Sequence, residues 1–312
     1  MMKLTLTTTC ALLITLSAHS QSPDKALAKV RYTFTHVNDT TQRDKPYTEN
    51  MVLLAGKNAS LYTSYDKIQR NINNRKQLEE QIKNAGSPTR QGFSITMPGG
   101  PRKPVSPINY YFFAKEHKLI TSENLVNTYL IEEPVENINW KISGDTSSFS
   151  GVHCQKATAD FKGRHWTAWF AGELPFQSGP WKLNGLPGLI IEAYDDKKEV
   201  QFQFAGIEDV PQDAPADNSF SKTQIMGLDE DLGSVVKLPF NSIKTTRKEL
   251  DKLKEAMAKD PQGFLNAQFA ARGGMPAMSS VKVTTSSTNS NAKAATPRAK
   301  MIINNPIELP GK

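Results

Sequence analysis

Between Trp140 and Ile207 short runs of alternating apolar and polar residues are cut by glycine or proline at Gly144, Gly163, Gly179-Pro180 and Pro187-Gly188. Turns this close together leave no room for the crossover helices that parallel strands require, so the block predicts antiparallel pairing. The alternation starts earlier, with Val30, Tyr32 and Phe34 set against Arg31, Thr33 and Thr35, followed by the apolar run Met51 to Leu54. Phe93, Ile95 and Met97 alternate before Pro98-Gly99-Gly100-Pro101 forces a loop. Tyr110 to Ala114 and Leu119 to Ser122 flank Glu116-His117 as a hairpin, and Val126 to Ile131 continues the meander. The fold class that follows is mainly β (α+β): one large curved antiparallel sheet, half-barrel-like, with a surface helix insertion and C-terminal helices.

The insertion is the polar stretch 66–85, where Ile68, Ile72 and Ile82 recur near helical spacing before Gly86. Later, Thr246-Arg-Lys-Glu249 reads as a capping box that opens a helix with Leu250, Leu253 and Met257 on one face. Asp260-Pro261 opens a second helix carrying Phe264, Leu265, Gln268 and Phe269, which Gly273-Gly274 ends, so that the helices occupy 246–272. Residues 275–300 are rich in Ser, Thr, Asn, Ala and Lys, a composition expected to lack order, and 301–312 form a separate ending to the 21–274 β domain.

At the N-terminus Lys3 precedes a modestly apolar stretch, Leu4 to Leu16, and Ala18 and Ser20 have the small-residue spacing of a signal-peptidase site. About thirteen residues in helix rise ~20 Å against a hydrocarbon core of ~30 Å, too short to span. Residues 1–20 are therefore expected to be a cleaved signal, with the mature chain starting at Gln21, periplasmic or extracellular and without a transmembrane segment. Lys3 is the only charge lost with it, which lowers the formal net charge of +7 by one. Of the two cysteines, Cys10 lies in the signal, so Cys154 is the only thiol left and no internal disulfide forms. The basic excess is spread as a solvated surface with no Lys/Arg run interleaved with aromatics, and nucleic acid is not an expected partner.

If Lys162-Gly163 is a two-residue hairpin turn, Asp160 faces His165 and Lys156 faces Trp169, with Cys154 on the same side and His153 and Trp166 on the other. Cys154 and His165 are then separated along the sheet by ~20 Å, too far to share a metal or form a dyad. His165 with Asp160 reads as a cross-strand pair, Lys156 over Trp169 as a cation–π contact, and Cys154 as a half-buried packing residue. The adjacent carboxylates Glu132-Glu133 and Asp195-Asp196 point to opposite faces of a strand and read as solvated edge residues. The chain carries no H-E-x-x-H, G-x-S-x-G, C-x-x-C, P-loop or G-x-G-x-x-G pattern. No catalytic residue, metal ligand or cofactor is assigned.

Gly185-Leu-Pro-Gly-Leu-Ile190 is letter for letter the hexapeptide of the GLPGLI family, which the chain resembles also in Gly151-Val-His-Cys-Gln-Lys-Ala157, Phe161-Lys-Gly-Arg164, Trp166-Thr-Ala-Trp-Phe170, Glu173-Leu-Pro175 and Gly179-Pro-Trp-Lys182. Asn305-Pro-Ile-Glu-Leu309 resembles the short ending of such proteins, although the Ser/Thr/Asn-rich insertion before it is longer than the resemblance leads one to expect. The resemblance implies an exported Bacteroidota protein, often associated with genes for TonB-dependent outer-membrane transporters, with no established reaction. Read from its own residues, the segment has Pro187 fixing one dihedral between Gly185 and Gly188, and Leu189-Ile190-Ile191 entering a buried strand. It is either a tight turn feeding the core or a fixed loop, Gly179 to Gly188, that closes a pocket or presents a docking surface. In the second reading Trp181, Leu186 and Trp169 are the binding residues, with Gly163, Gly179, Pro180, Gly185, Pro187 and Gly188 shaping the turns; Gly188 is expected at positive φ and Trp181 partly exposed. The function expected is a non-enzymatic binding or accessory module for a transporter component or a small apolar or lipid ligand. The alternative is a periplasmic hydrolase or metal-binding carrier that draws His117, His153 or His165 together from separate strands.

Overall fold

The computed structural model describes residues 23–85, 93–98, 103–211, 233–271, 281–286 and 302–310. The expected signal and Gly273-Gly274 lie outside them. The chain is mostly β, with one large open sheet. The strands are β1 (Asp24–His36), β2 (Tyr47–Gly56), β3 (Ala59–Ser64), β4 (Phe93–Pro98), β5 (Ile108–Phe113), β6 (Lys118–Asn124), β7 (Thr128–Glu133), β8 (Lys141–Phe149), β9 (Val152–Phe161), β10 (Arg164–Ala171), β11 (Leu189–Asp195), β12 (Val200–Asp209), β13 (Val235–Val236), β14 (Ile243–Lys244) and β15 (Val281–Ser286). The helices are α1 (Tyr65–Ala85), α2 (Arg247–Lys259) and α3 (Pro261–Ala271). The large sheet runs β14-β7-β6-β5-β3-β2-β1-β12-β11-β10-β9-β8, with β13 on the start of β1. Its pairing is antiparallel except for β14, which lies parallel to β7, so the sheet is mixed rather than purely antiparallel.

Chain geometry shows that this sheet is curved. Its order separates β7 from β8 by ten strand steps, ~48 Å across a flat sheet at ~4.8 Å per strand. Only residues 134–140 join them, a connection that reaches at most ~28 Å when fully extended. The two ends must therefore curl toward each other, which makes the half-barrel.

The concave side is filled with aromatic rings. β1 buries every second residue, placing Tyr32 and Phe34 inward. Phe202 stacks on Phe34 and Trp166 at ring-centroid distances of 5.2 and 6.0 Å. Buried Glu49 accepts from the Tyr47 and Ser106 hydroxyls and the Ser106 N–H, fixing the chain entering β5. α1 lies against β2 with Ile68 buried. The capping box of α2 forms as expected between Thr246 and Glu249, and fully buried Leu250 packs on Tyr129 and Ile131 of β7.

The expected unordered segment 275–300 is corrected in part: Val281–Ser286, with its β-branched Val-Lys-Val-Thr-Thr run, pairs in parallel with β4 as a second, two-stranded sheet. The rest of that segment lies outside the described residues. The ending at Asn305 to Leu309 docks on the body, with the Leu309 N–H on the Lys162 carbonyl at 3.0 Å.

Candidate functional site

The hairpin at Lys162-Gly163 has the expected register, His165 opposite Asp160 and Trp169 opposite Lys156. Both turn residues have positive φ, 51° and 71°, the type I′ geometry whose twist matches two-residue hairpins. Gly163 also makes room for the ending, since a Cβ there would lie 2.8 Å from Leu309 Cβ.

The loop between β10 and β11 crosses the mouth of the half-barrel. Its turns close through the Leu183 N–H on the Pro180 carbonyl at 3.1 Å and the Gly188 N–H on the Leu186 carbonyl at 2.9 Å. Gly188 takes φ 155°, as expected, and a Cβ on it would sit 2.7 Å from the Ala171 carbonyl carbon. The partial exposure expected of Trp181 is corrected: the ring is only 5 % exposed, wedged against Phe161 and Trp166 at 5.8 and 5.7 Å. Leu186 is likewise buried. The reason is that the curled sheet needs its concave face covered, and the loop supplies the cover. Trp140 holds the loop down by donating its indole N–H to the Asn184 carbonyl at 2.8 Å.

Beside this loop, Leu119, Phe161, Lys162, Lys182 and Glu308 line a cleft of about 110 Å³. Water takes ~30 Å³ per molecule and drug-sized ligands occupy pockets of ~300–1,000 Å³, so the cleft suits a few waters. Its charges are paired. Lys182 meets Glu133 and Glu308 at 2.5 and 2.7 Å, Lys162 meets Glu136 and Glu308, and Arg247 of α2 joins Glu133 to Glu123. Burial pushes the Glu133 carboxyl up, but bonds from Lys182, Thr121 and Arg247 outweigh it and hold the group below the usual carboxylate range. The pairing leaves this network as a strut among α2, β7, the loop and the ending.

The remaining candidates lie apart. Cys154 is buried rather than half-buried, and desolvation, with the Glu192 carboxylate nearby, pushes its thiol up to about 11, which keeps it protonated. His165 Nδ1 is 2.8 Å from Asp160 Oδ1 on an exposed face, and His117 and His153 are exposed elsewhere. Among the described residues no three His, Cys, Asp or Glu side chains converge as a metal site. The expected Lys156–Trp169 contact is replaced by an ion pair from Lys156 to Asp145 at 3.3 Å, while half-buried Trp169 packs on Phe149 at 5.9 Å. His165→Ala is expected to change unfolding stability by less than about 1 kcal/mol in a urea melt, since the pair is exposed.

The solvated reading of the carboxylate pairs holds for Glu132 and Asp196 and fails for their neighbours. Glu133 belongs to the cleft network, and Asp195 is buried against Arg164, Nη1 to Oδ2 at 2.6 Å. Sequence reasoning missed this second cluster, formed by Arg164, Asp195, Glu199, Asn305 and His36, all buried. The legible signal was Arg164 itself, an arginine at an inward position opposite Phe161, which has to find buried partners. Its partners came from a distant turn and the chain ending, which no local pattern connects.

Within the cluster the His36 ring, 2.7 Å from the Asn305 carbonyl through Nε2, faces Arg164, Asp195 and Glu199. Burial, helped by Arg164, holds its pKa below the ordinary 6.5 despite the Asn305 carbonyl and the two carboxylates. The unfolded chain therefore binds this proton more readily, and the stability His36 contributes is present above pH 6.5 and lost as pH falls below it. The protection of the Asn304 and Asn305 amides, measured as exchange relative to the intrinsic rate at each pH, is expected to fall between pH 7.5 and 5.5, with a His36→Gln variant showing a flatter profile.

Comparison with known proteins adds the following. A family profile described as "Protein of unknown function (Porph_ging)" matches residues 133–192, from the end of β7 through β8, β9, β10 and the loop into β11. No curated protein matches. Among solved structures, PNGF-II in the P21 space group aligns at 11 % identity and TM-score 0.45, covering 73 % of this chain and 32 % of its own. PNGF-II in the C2 space group aligns at 12 % identity and TM-score 0.44, with the same coverage of each chain. This chain thus spans about a third of the length of those structures. No described helix is long and apolar enough to cross a membrane.

Proposed function

We propose that this is an exported envelope protein of the GLPGLI type that acts as a non-enzymatic accessory module, binding an extended segment of another protein along the outer edge of β8. The observation that carries this reading is the contrast between the two edges of the sheet. At one end β14 pairs with β7, and α2 is fastened beside it by Arg247 and Lys254 on Glu123. At the other end β8 is largely exposed, no described strand pairs with its outer edge, and Ile142 on it is 48 % exposed. An unpaired edge offers N–H and C=O groups to an incoming strand. The register break between Ile142 and Thr146 and the glycine at 144 shorten the flat stretch, which limits self-pairing. β8 also lies inside the stretch matched by the family profile. The filled concave face supports a protein partner over a lipid, since Trp166, Phe202 and Trp181 occupy the space an acyl chain would need.

The export signal expected from residues 1–20 and the resemblance carried by the GLPGLI hexapeptide support an envelope location, and a component of an outer-membrane transporter is the partner the resemblance suggests. The test is a photo-crosslinking amino acid placed at Ile142 in the full chain expressed in its envelope, with the same probe at Lys76 on α1 as control. A protein adduct specific to position 142 is expected. Equal labelling at both positions, or a lipid adduct at 142, would overturn the proposal.

A further inference from the structure

We propose that the groove formed by His36, Asn38, Lys162 and Arg164 is a sequence-specific site for extended peptides of the Asn-Pro-aliphatic-Glu type, which this chain fills with its own ending, Asn304 to Leu309. The ending is read one residue at a time. Asn304 donates to Asp39 Oδ1 at 3.0 Å and accepts from the Thr40 N–H at 2.9 Å. Asn305 has every polar group engaged: its Nδ2 donates to the Val37 carbonyl and Glu199 Oε2 at 2.8 and 3.0 Å, and its Oδ1 accepts from Arg164 Nη2 at 2.7 Å. Its backbone N–H donates to Asn38 and its carbonyl faces His36.

Proline follows, where a missing N–H costs nothing because the groove addresses only the carbonyl, through Arg164 Nη2 at 2.7 Å. Arg164 Nε takes the next carbonyl, of Ile307, at 2.8 Å, and the Ile307 side chain packs against the main core. Glu308 is held by Lys182, and Leu309 passes over Gly163, where any Cβ would collide with it.

Arg164 makes the groove a binding site. Its guanidinium is anchored from below by Asp195 and Glu199, and its other N–H groups are aimed at three acceptors of the ending. A rigid fork pre-set by two buried carboxylates is how proteins recognise a specific arrangement of acceptors. The ending is held without a covalent link at the groove, so a free peptide of the same sequence competes with it. The tether places the ending at a high local concentration and hides that competition until it is cut.

The test uses the whole chain with a protease site inserted within residues 287–301, cut after purification. Native mass spectrometry is expected to show the released ending still bound, and a labelled synthetic peptide of residues 302–312 replacing it. A labelled peptide carrying Asn305→Ala is expected to bind at least tenfold more weakly, and Arg164→Lys in the body, folded by circular dichroism, to lose binding of the unmodified peptide. Loss of the ending without rebinding, failure to exchange, equal binding of the Asn305→Ala peptide, or collapse of the body on cutting would each overturn the proposal.

Discussion

Gly188→Ala is expected to lower unfolding stability by about 2–6 kcal/mol, combining ~1–3 kcal/mol for a backbone held in a region alanine avoids with ~1–3 kcal/mol for overpacking. At φ 155° the residue follows Pro187, whose ring removes the freedom to relieve the strain from the preceding side. The added Cβ also meets backbone, the Ala171 carbonyl carbon at 2.7 Å and Gly172 Cα at 2.9 Å, and backbone at the end of β10 cannot rotate away as a side chain would. Relief would lift the loop off Trp166 and expose Trp181. Urea melts monitored by tryptophan fluorescence measure this, and the variant is expected to show a red-shifted native spectrum. Trp181→Ala belongs with it: with the ring buried between Phe161 and Trp166, truncation is expected to lower the melting temperature strongly and not to act on binding alone.

Arg164→Met is expected to cost about 3–5 kcal/mol, the range for removing one partner of a buried charge cluster. Asp195 and Glu199 would stay buried facing each other with their main cation gone, while Arg43, which reaches Glu199 at 2.7 Å from an exposed position, compensates little. Three acceptors on the ending would lose their donor at the same time. For a domain of this size the melting temperature is expected to fall by ~6–20 °C. Combining Arg164→Met with Asp195→Asn and Glu199→Gln is expected to recover part of the loss, because neutral amides are cheaper to bury than unpaired carboxylates. Equal stability of the single and triple variants would show that the cost arises from packing.

What the sequence disclosed divides along the range of the interactions. The β9–β10 hairpin was legible down to its register because alternation and a two-residue turn are local, and the same holds for the α2 capping box. The burial of Trp181 was not legible, since it depends on how far a sheet of this length curls and on which segment then covers its concave face. Asp195 looked like half of a solvent-facing pair because its partner, Arg164, lies 31 residues away on a neighbouring strand. The docking of Asn305 joins residues separated by 269 positions to His36, and no pattern within the ending marks it as a bound segment. The open edge at β8 emerges only from the strand order, which the meander left undetermined between Phe149 and β1.

Amide hydrogen exchange across β8, measured on the isolated chain and again with the partner captured through position 142, bears most directly on recognition at the sheet edge. Slowing confined to Lys141–Phe149 is expected at the N–H groups that point away from β9, because only an added strand protects those groups. Unchanged exchange in β8, with new protection in the Gly179 to Gly188 loop or in the strands beneath it, would place the partner at the mouth of the half-barrel and contradict recognition at the edge.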